Sequence, residues 1–118
     1  MSRHEKLDYV EFPSDKLSAS KAFFETVFGW TFTDYGEEYT AFDYQGLCGG
    51  FYQAIAGEII PKGGALLVFY SDNLSTTQTK ILAAGGHIAK PVFSFPGGSR
   101  FHFLEPGGNE FAVWTETQ

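Results

Sequence analysis

The sequence predicts an α+β domain built from two copies of one β-α-β-β-β module. Three observations point there. First, the heptad FPSDKLS at residues 12–18 returns as FYSDNLS at residues 69–75, with identities at Phe12/Phe69, Ser14/Ser71, Asp15/Asp72, Leu17/Leu74 and Ser18/Ser75. The same offset of 57 positions pairs Gly29 with Gly86, and a fixed-period match of this kind sets the architecture. Second, each heptad overlaps or follows a run rich in Val, Leu, Phe and Tyr and precedes a stretch with helical spacing. Third, each helical stretch is followed by three more strand-like runs separated by turn residues.

The elements follow in order. LDYVEF at 7–12 reads as the first strand. Ser14-Asp15 supplies short oxygen side chains of the type that accept the orphan N–H groups of a first helical turn. A helix then fits 17–28, with Ala19, Ala22, Phe23 and Val27 spaced along one face and Gly29 as the stop. WTFTDY, EYTAFDYQ and LCGGFYQ complete the first module. In the second, ALLVFY at 65–70 is the strand and Ser71-Asp72 the helix start. LSTTQTKILAAGG is the helix, placing Leu74, Ile81 and Leu82 on one face and stopping at Gly85-Gly86. HIAKPVFSF, SRFHFLE and NEFAVWTE are the remaining strands. Pro61-Lys62-Gly63-Gly64 is the natural junction, so module one spans 7–60 and module two 64–118 within a single domain, 1–118.

Bulk properties narrow the function. A chain of 118 residues is one domain by length. A net charge of −6 argues against nucleic acid, which needs a basic face. No run of about 18 apolar residues suggests a membrane span, and MSRHEKLDYV lacks the apolar segment of a secretion signal. The single cysteine, Cys48, excludes an internal disulfide and a multi-cysteine metal site. A cytoplasmic protein is expected.

LSASKAFFETVFGWTF, SDNLSTTQTKILAAGGHI and FLEPGGNEFAVW together resemble the vicinal oxygen chelate superfamily, which includes glyoxalase I, bleomycin-resistance proteins and extradiol dioxygenases. The resemblance covers almost the whole chain and rests most on Phe-Gly-Trp at the helix exit and on the Glu-Pro-Gly-Gly-Asn turn. It implies sheets curled around a shared cleft, with a divalent metal there acting as Lewis acid. It also implies pairing of modules within one chain or between two, and a homodimer is expected. The metal ligands implied are His or Glu side chains on the first and last strand of each module. Those positions fall on Tyr9, on the Gly49–Gln53 segment, on Leu66 and on Ala112. Leucine and alanine offer no donor, and a tyrosine phenol keeps its proton near neutral pH. No metal and no other cofactor is therefore expected. His4, His87 and His102 show no ligand spacing that would replace the site.

Strand alternation then sorts the remaining candidates. If Tyr9 faces the cleft, Glu11 does too, while Val10 and Phe12 pack under the helix. Leu66, Val68 and Tyr70 share that parity, as do Glu110, Ala112 and Trp114, with Phe111 and Val113 in the core. Phe101 and Phe103 read as core, which directs Arg100 and His102 to the cleft. The expected ligand-binding set is Tyr9, Glu11, Leu66, Val68, Arg100, His102, Ala112 and Trp114. Apolar walls with sparse polar groups suit a small organic ligand.

Each polar candidate has a plainer reading. Glu11 also reads as a merely solvated residue, His102 as a satisfied polar residue, and Arg100 as a surface partner of Glu105. Tyr9 and Trp114 also read as packing or dimer-interface residues. Three functions stay open: a metal-free small-molecule binder, a lyase or isomerase related to glyoxalase I using a relocated metal or Glu11 and His102 as acid and base, and a non-catalytic module with a vestigial cleft.

Overall fold

The computed structural model describes residues 4–6, 8–43, 46–55 and 65–117. Their elements run β1 (Val10–Ser14), α1 (Leu17–Phe28), β2 (Phe32–Asp34), β3 (Tyr39–Phe42), β4 (Gly49–Gln53), β5 (Leu67–Tyr70), α2 (Leu74–Ala83), β6 (His87–Phe95), β7 (Gly98–Leu104) and β8 (Glu110–Glu116). The strands form two four-stranded sheets, ordered β1-β4-β3-β2 and β5-β8-β7-β6. In each sheet the first strand lies parallel to the fourth, and the other pairings are antiparallel. The sequence repeat is thus a repeat of topology. The expected junction at Pro61-Lys62-Gly63-Gly64 lies outside the described residues.

The repeated heptad has a physical reason. Ser14 Oγ accepts the Lys16 N–H at 3.2 Å and lies 2.7 Å from Ser20 Oγ. Ser71 Oγ accepts the Asn73 N–H at 3.0 Å and lies 2.7 Å from Thr77 Oγ1. Each serine therefore makes a tight turn into its helix and ties that turn to the second helical turn. Neither Ser-Asp pair supplies the cap itself, contrary to the sequence expectation. The capping position is Lys16 in α1, without a side-chain bond, and Asn73 in α2, whose Oδ1 accepts the Thr76 N–H at 3.0 Å. The helix ends differ as well. Gly29 closes α1 in the left-handed conformation at φ 71°, whereas in α2 that role falls to Gly85 at φ 93°. Gly86, the sequence match of Gly29, is fixed instead by space. A Cβ there would approach Ile81 Cγ2 to 2.7 Å and Phe23 Cε1 to 2.9 Å.

Strand parity in the core holds: Phe101, Phe103, Phe111 and Val113 are buried, and Val10 and Phe12 pack against the same cluster. The helix faces need correction. The buried residues of α1 are Ser20, Phe23, Phe24 and Val27, while Ala22 is exposed. In α2, Leu74 and Ile81 are buried but Leu82 points outward. The reason is tertiary. Phe24 stacks on Phe51 of its own sheet at 5.4 Å and also meets Phe111 at 5.3 Å and Phe69 at 6.4 Å in the other. Phe28 stacks on Phe69 at 4.1 Å. Helix α1 therefore buries a wider arc than one sheet demands, and both modules share one aromatic core.

A buried polar knot joins the modules beside that core. Glu105, in the turn after β7, is 2% exposed. Its Oε1 accepts Ser20 Oγ at 2.7 Å and the Gly107 N–H at 2.7 Å, and its Oε2 accepts Asn109 Nδ2 at 2.6 Å and the Asn109 N–H at 3.3 Å. Because Ser20 donates to Glu105, Ser14 must donate to Ser20. Asn109 Nδ2 also donates to the Pro13 carbonyl at 2.7 Å, and the Asp15 N–H to the Gly107 carbonyl at 3.1 Å. Gly107 has no room for a side chain: a Cβ would collide with the Ser14 and Ser20 hydroxyls. The Glu-Pro-Gly-Gly-Asn turn of module two is thereby fastened to the helix start of module one.

Candidate functional site

The faces of the sheets turned away from the aromatic core carry the sequence-derived candidates, in two clusters. On the first sheet, Tyr9 and Glu11 meet Tyr39 of β3. The Tyr39 hydroxyl donates to Glu11 Oε2 at 2.9 Å and lies 2.6 Å from the Tyr9 hydroxyl. With its proton committed to Glu11, Tyr39 accepts from Tyr9, and the chain runs Tyr9 to Tyr39 to Glu11. Tyr39 lies across Gly50, where any Cβ would strike the phenol. Burial first, then the hydrogen bonds shared with Tyr9 and Glu11, push the Tyr39 phenol above its ordinary range. Tyr39 is absent from the sequence-derived set. The alternation of Tyr39 and Ala41 against buried Thr40 and Phe42 is the signal that finds it.

On the second sheet the candidates line up as cross-strand rungs. One rung runs Phe93, Arg100, Trp114, Tyr70, and the next Lys90, His102, Ala112, Val68. Residues directly opposite one another share a face. Ala112 is fully buried and His102 is 4% exposed, while Val68 and Tyr70 keep nearly half their surface in solvent. The Tyr70 and Trp114 rings meet edge-on at 5.2 Å. Leu66, one residue before β5, is also exposed. Val68, Tyr70 and Trp114 thus stand around a floor at Ala112.

Arg100 and His102 occupy neighbouring outward positions of β7. His102 Nδ1 lies 2.8 Å from Glu110 Oε2, the pairing that leaves Nε2 to act away from the carboxylate. That Nε2 is buried without a partner, and so is Arg100 Nε. The Arg100 guanidinium sits over the rings of Phe93 at 5.4 Å and Phe95 at 5.9 Å, and Phe93 also packs on the His102 ring at 5.9 Å. Glu105 is not its surface partner, being enclosed in the knot described above. Phe93 and Phe95 are invisible to simple alternation, because β6 shifts register between Ile88 and Lys90 and again between Lys90 and Phe93.

The metal positions implied by the family do not suit a cation. Leu66 and Ala112 bring no donor atom, and the Tyr9 hydroxyl is engaged with Tyr39. On β4, Gly50 stands beside Glu11. Gln53 is committed to the α1 start, accepting the Leu17 N–H at 3.3 Å and donating to the Asp15 carbonyl at 3.0 Å. Among the described residues no three His, Cys, Asp or Glu side chains converge on one point.

A separate apolar cavity of about 90 Å³ lies on the opposite, core-side faces of the strands, lined among others by Phe12, Trp30, Phe42, Phe69 and Phe111. It shares no residue with the expected ligand-binding set. No described helix is long and apolar enough to cross a membrane.

Two β-α-β-β-β modules sharing one core define the class. The model of the Glyoxalase/Bleomycin resistance protein/Dioxygenase superfamily matches residues 6–113, and the chain belongs to that superfamily. The fold is similar to a glyoxalase/bleomycin resistance protein/dioxygenase family enzyme from Burkholderia phytofirmans PsJN, with TM-score 0.80 and 21% identity over 94% of this chain and 100% of that one. It is also similar to the fosfomycin resistance protein FosX from Mesorhizobium loti, with TM-score 0.74 and 16% identity over 96% and 93% of the two chains. A third is the lactoylglutathione lyase from Agrobacterium tumefaciens, with TM-score 0.68 and 19% identity over 94% and 93%. A comparison with curated proteins finds no match.

Proposed function

We propose that the protein binds a small organic molecule on the aromatic outer face of its second sheet, without the divalent ion typical of the superfamily. The observation that carries this reading is the floor at Ala112 with Val68, Tyr70 and Trp114 around it. An apolar surface with a few polar groups at its margin is how small-ligand sites are built, and aromatic rings supply stacking area. Arg100 and His102 would set orientation and charge preference.

The test is calorimetric titration with a panel of aromatic small molecules, with and without EDTA. Saturable binding that the chelator leaves unchanged supports the proposal; binding abolished by the chelator refutes it.

A second reading is catalytic, as a lyase or isomerase related to glyoxalase I. It is favoured by the Tyr9–Tyr39–Glu11 chain and by the unpartnered His102 Nε2, which are suited to proton transfer. Turnover of the methylglyoxal–glutathione adduct, or one divalent ion per chain in protein purified without added metal, would promote this reading over the first.

A further inference from the structure

We propose that the ligand is an organic anion, a planar carboxylate held by Arg100 with its apolar body laid across Ala112 and Val68. The inference rests on the binding reading above and names the chemistry of the ligand.

Arg100 carries it. The chain has a net charge of −6, with 14 acidic side chains to 8 basic ones, so a guanidinium has many carboxylates to choose from. Yet Arg100 makes no hydrogen bond and no ion pair with any described residue. It is half-buried, and its Nε is sealed from solvent without an acceptor. A buried guanidinium N–H without a partner is costly, and native structures leave few such groups. What holds Arg100 is two aromatic rings, Phe93 and Phe95, packed against the guanidinium. Ring contacts fix the plane of the fork and leave its hydrogen-bonding edges available, a pre-organised arrangement for bidentate recognition of a carboxylate.

The surroundings agree in sign and shape. Lys90 and His102 share one rung on the same face, so cationic or donor-capable groups gather around Arg100. Glu110, a carboxylate of β8, is occupied by His102 Nδ1. His102 Nε2, also buried and unpartnered, is a second polar atom in the adjacent outward position of β7. Directly opposite Arg100 stands Trp114, and beyond it Tyr70. A carboxylate at Arg100 would therefore place an attached ring over the small floor residue Ala112, flanked by Trp114. Phe93 covers both Arg100 and His102, so the ligand must displace this ring in part. Phe93 lies on the edge strand, immediately after the second register shift of β6.

The experiment is calorimetric titration with naphthalene-2-carboxylate and its neutral isostere naphthalene-2-carboxamide, on the wild-type chain and on Arg100→Met and Arg100→Lys. The expected result is binding of the carboxylate at least about tenfold tighter than the amide. Arg100→Met should remove that discrimination, bringing the affinities of the two probes to within about twofold of each other. Arg100→Lys, which keeps the charge but not the fork, should retain only part of it and serves if the methionine variant does not fold. Equal binding of the two probes to wild type, or discrimination that survives in Arg100→Met, overturns the anion inference while leaving the aromatic site intact. Failure of the carboxylate to bind overturns the anion inference too; the wider reading then stands or falls on the EDTA titrations.

Discussion

Replacing Glu105 by glutamine sets two large effects against each other. The wild-type carboxylate is almost fully buried, no cation among the described residues contacts it, and four donors converge on its two oxygens. Desolvating a lone carboxylate is expensive, and removing a buried charge is often neutral or stabilising when the surroundings accept the change. On that ground alone glutamine would be tolerated. The donor geometry argues the other way. One of the two oxygens must become an NH2 group. At Oε1 it would face the Gly107 N–H, and at Oε2 the Asn109 amide, neither of which can turn into an acceptor while keeping its other contacts. Ser20 alone can rotate its hydroxyl. Leaving one or two buried donors unsatisfied costs about 1–3 kcal/mol each, so a loss of roughly 2–5 kcal/mol is expected. For a domain of this size, at roughly 4 °C per kcal/mol, that lowers Tm by on the order of 8–20 °C. Thermal and urea unfolding followed by circular dichroism give the answer. A Glu105→Gln melt within about 2 °C of wild type would mean that desolvation relief matches the lost bonds, and the account of the knot as a net stabiliser would be wrong.

Three further outcomes are expected. Gly107→Ala drives a methyl into the Ser14 and Ser20 hydroxyls and should destabilise by about 1–3 kcal/mol or more; an unchanged urea midpoint would contradict the close approach. Phe24→Ala removes a ring that touches both sheets and should cost about 3–5 kcal/mol while unfolding stays a single transition. Two separated transitions would show that the modules do not share a core. Tyr39 is held protonated above its ordinary value of about 10. The unfolded chain therefore loses that proton first, and the stability contributed below pH ~10 drains away as pH rises further. Tyr39→Phe should flatten the alkaline limb of the stability curve, and identical slopes for the two proteins above pH 10 would rule out the linkage.

Much of the fold was legible because it depends on local rules. A repeated Ser-centred turn, a helix with a glycine stop and strands with alternating burial all act over a few residues, so Leu17–Phe28 and His87–Phe95 coincide with their expected bounds. Parity directs Tyr9, Glu11, Arg100, His102, Ala112 and Trp114 to the face opposite the core residues, because side chains alternate along a strand, but it does not foretell that Ala112 and His102 are buried there. It failed where the ladder slipped. The bulged register of β6 hid Phe93 and Phe95, and with them the reason Arg100 is held.

By itself the sequence determined the two modules, their order of elements and the absence of donor atoms at Leu66 and Ala112. Those are properties of residue type and spacing, which no packing can alter. Tertiary structure decided what meets across long separations. It buried Phe24 by setting α1 over both sheets, enclosed Glu105 among Ser20, Gly107 and Asn109, and joined Tyr39 to Glu11 and Tyr9. The knot links residues up to 96 positions apart, and only the packing of whole elements brings them within hydrogen-bonding range.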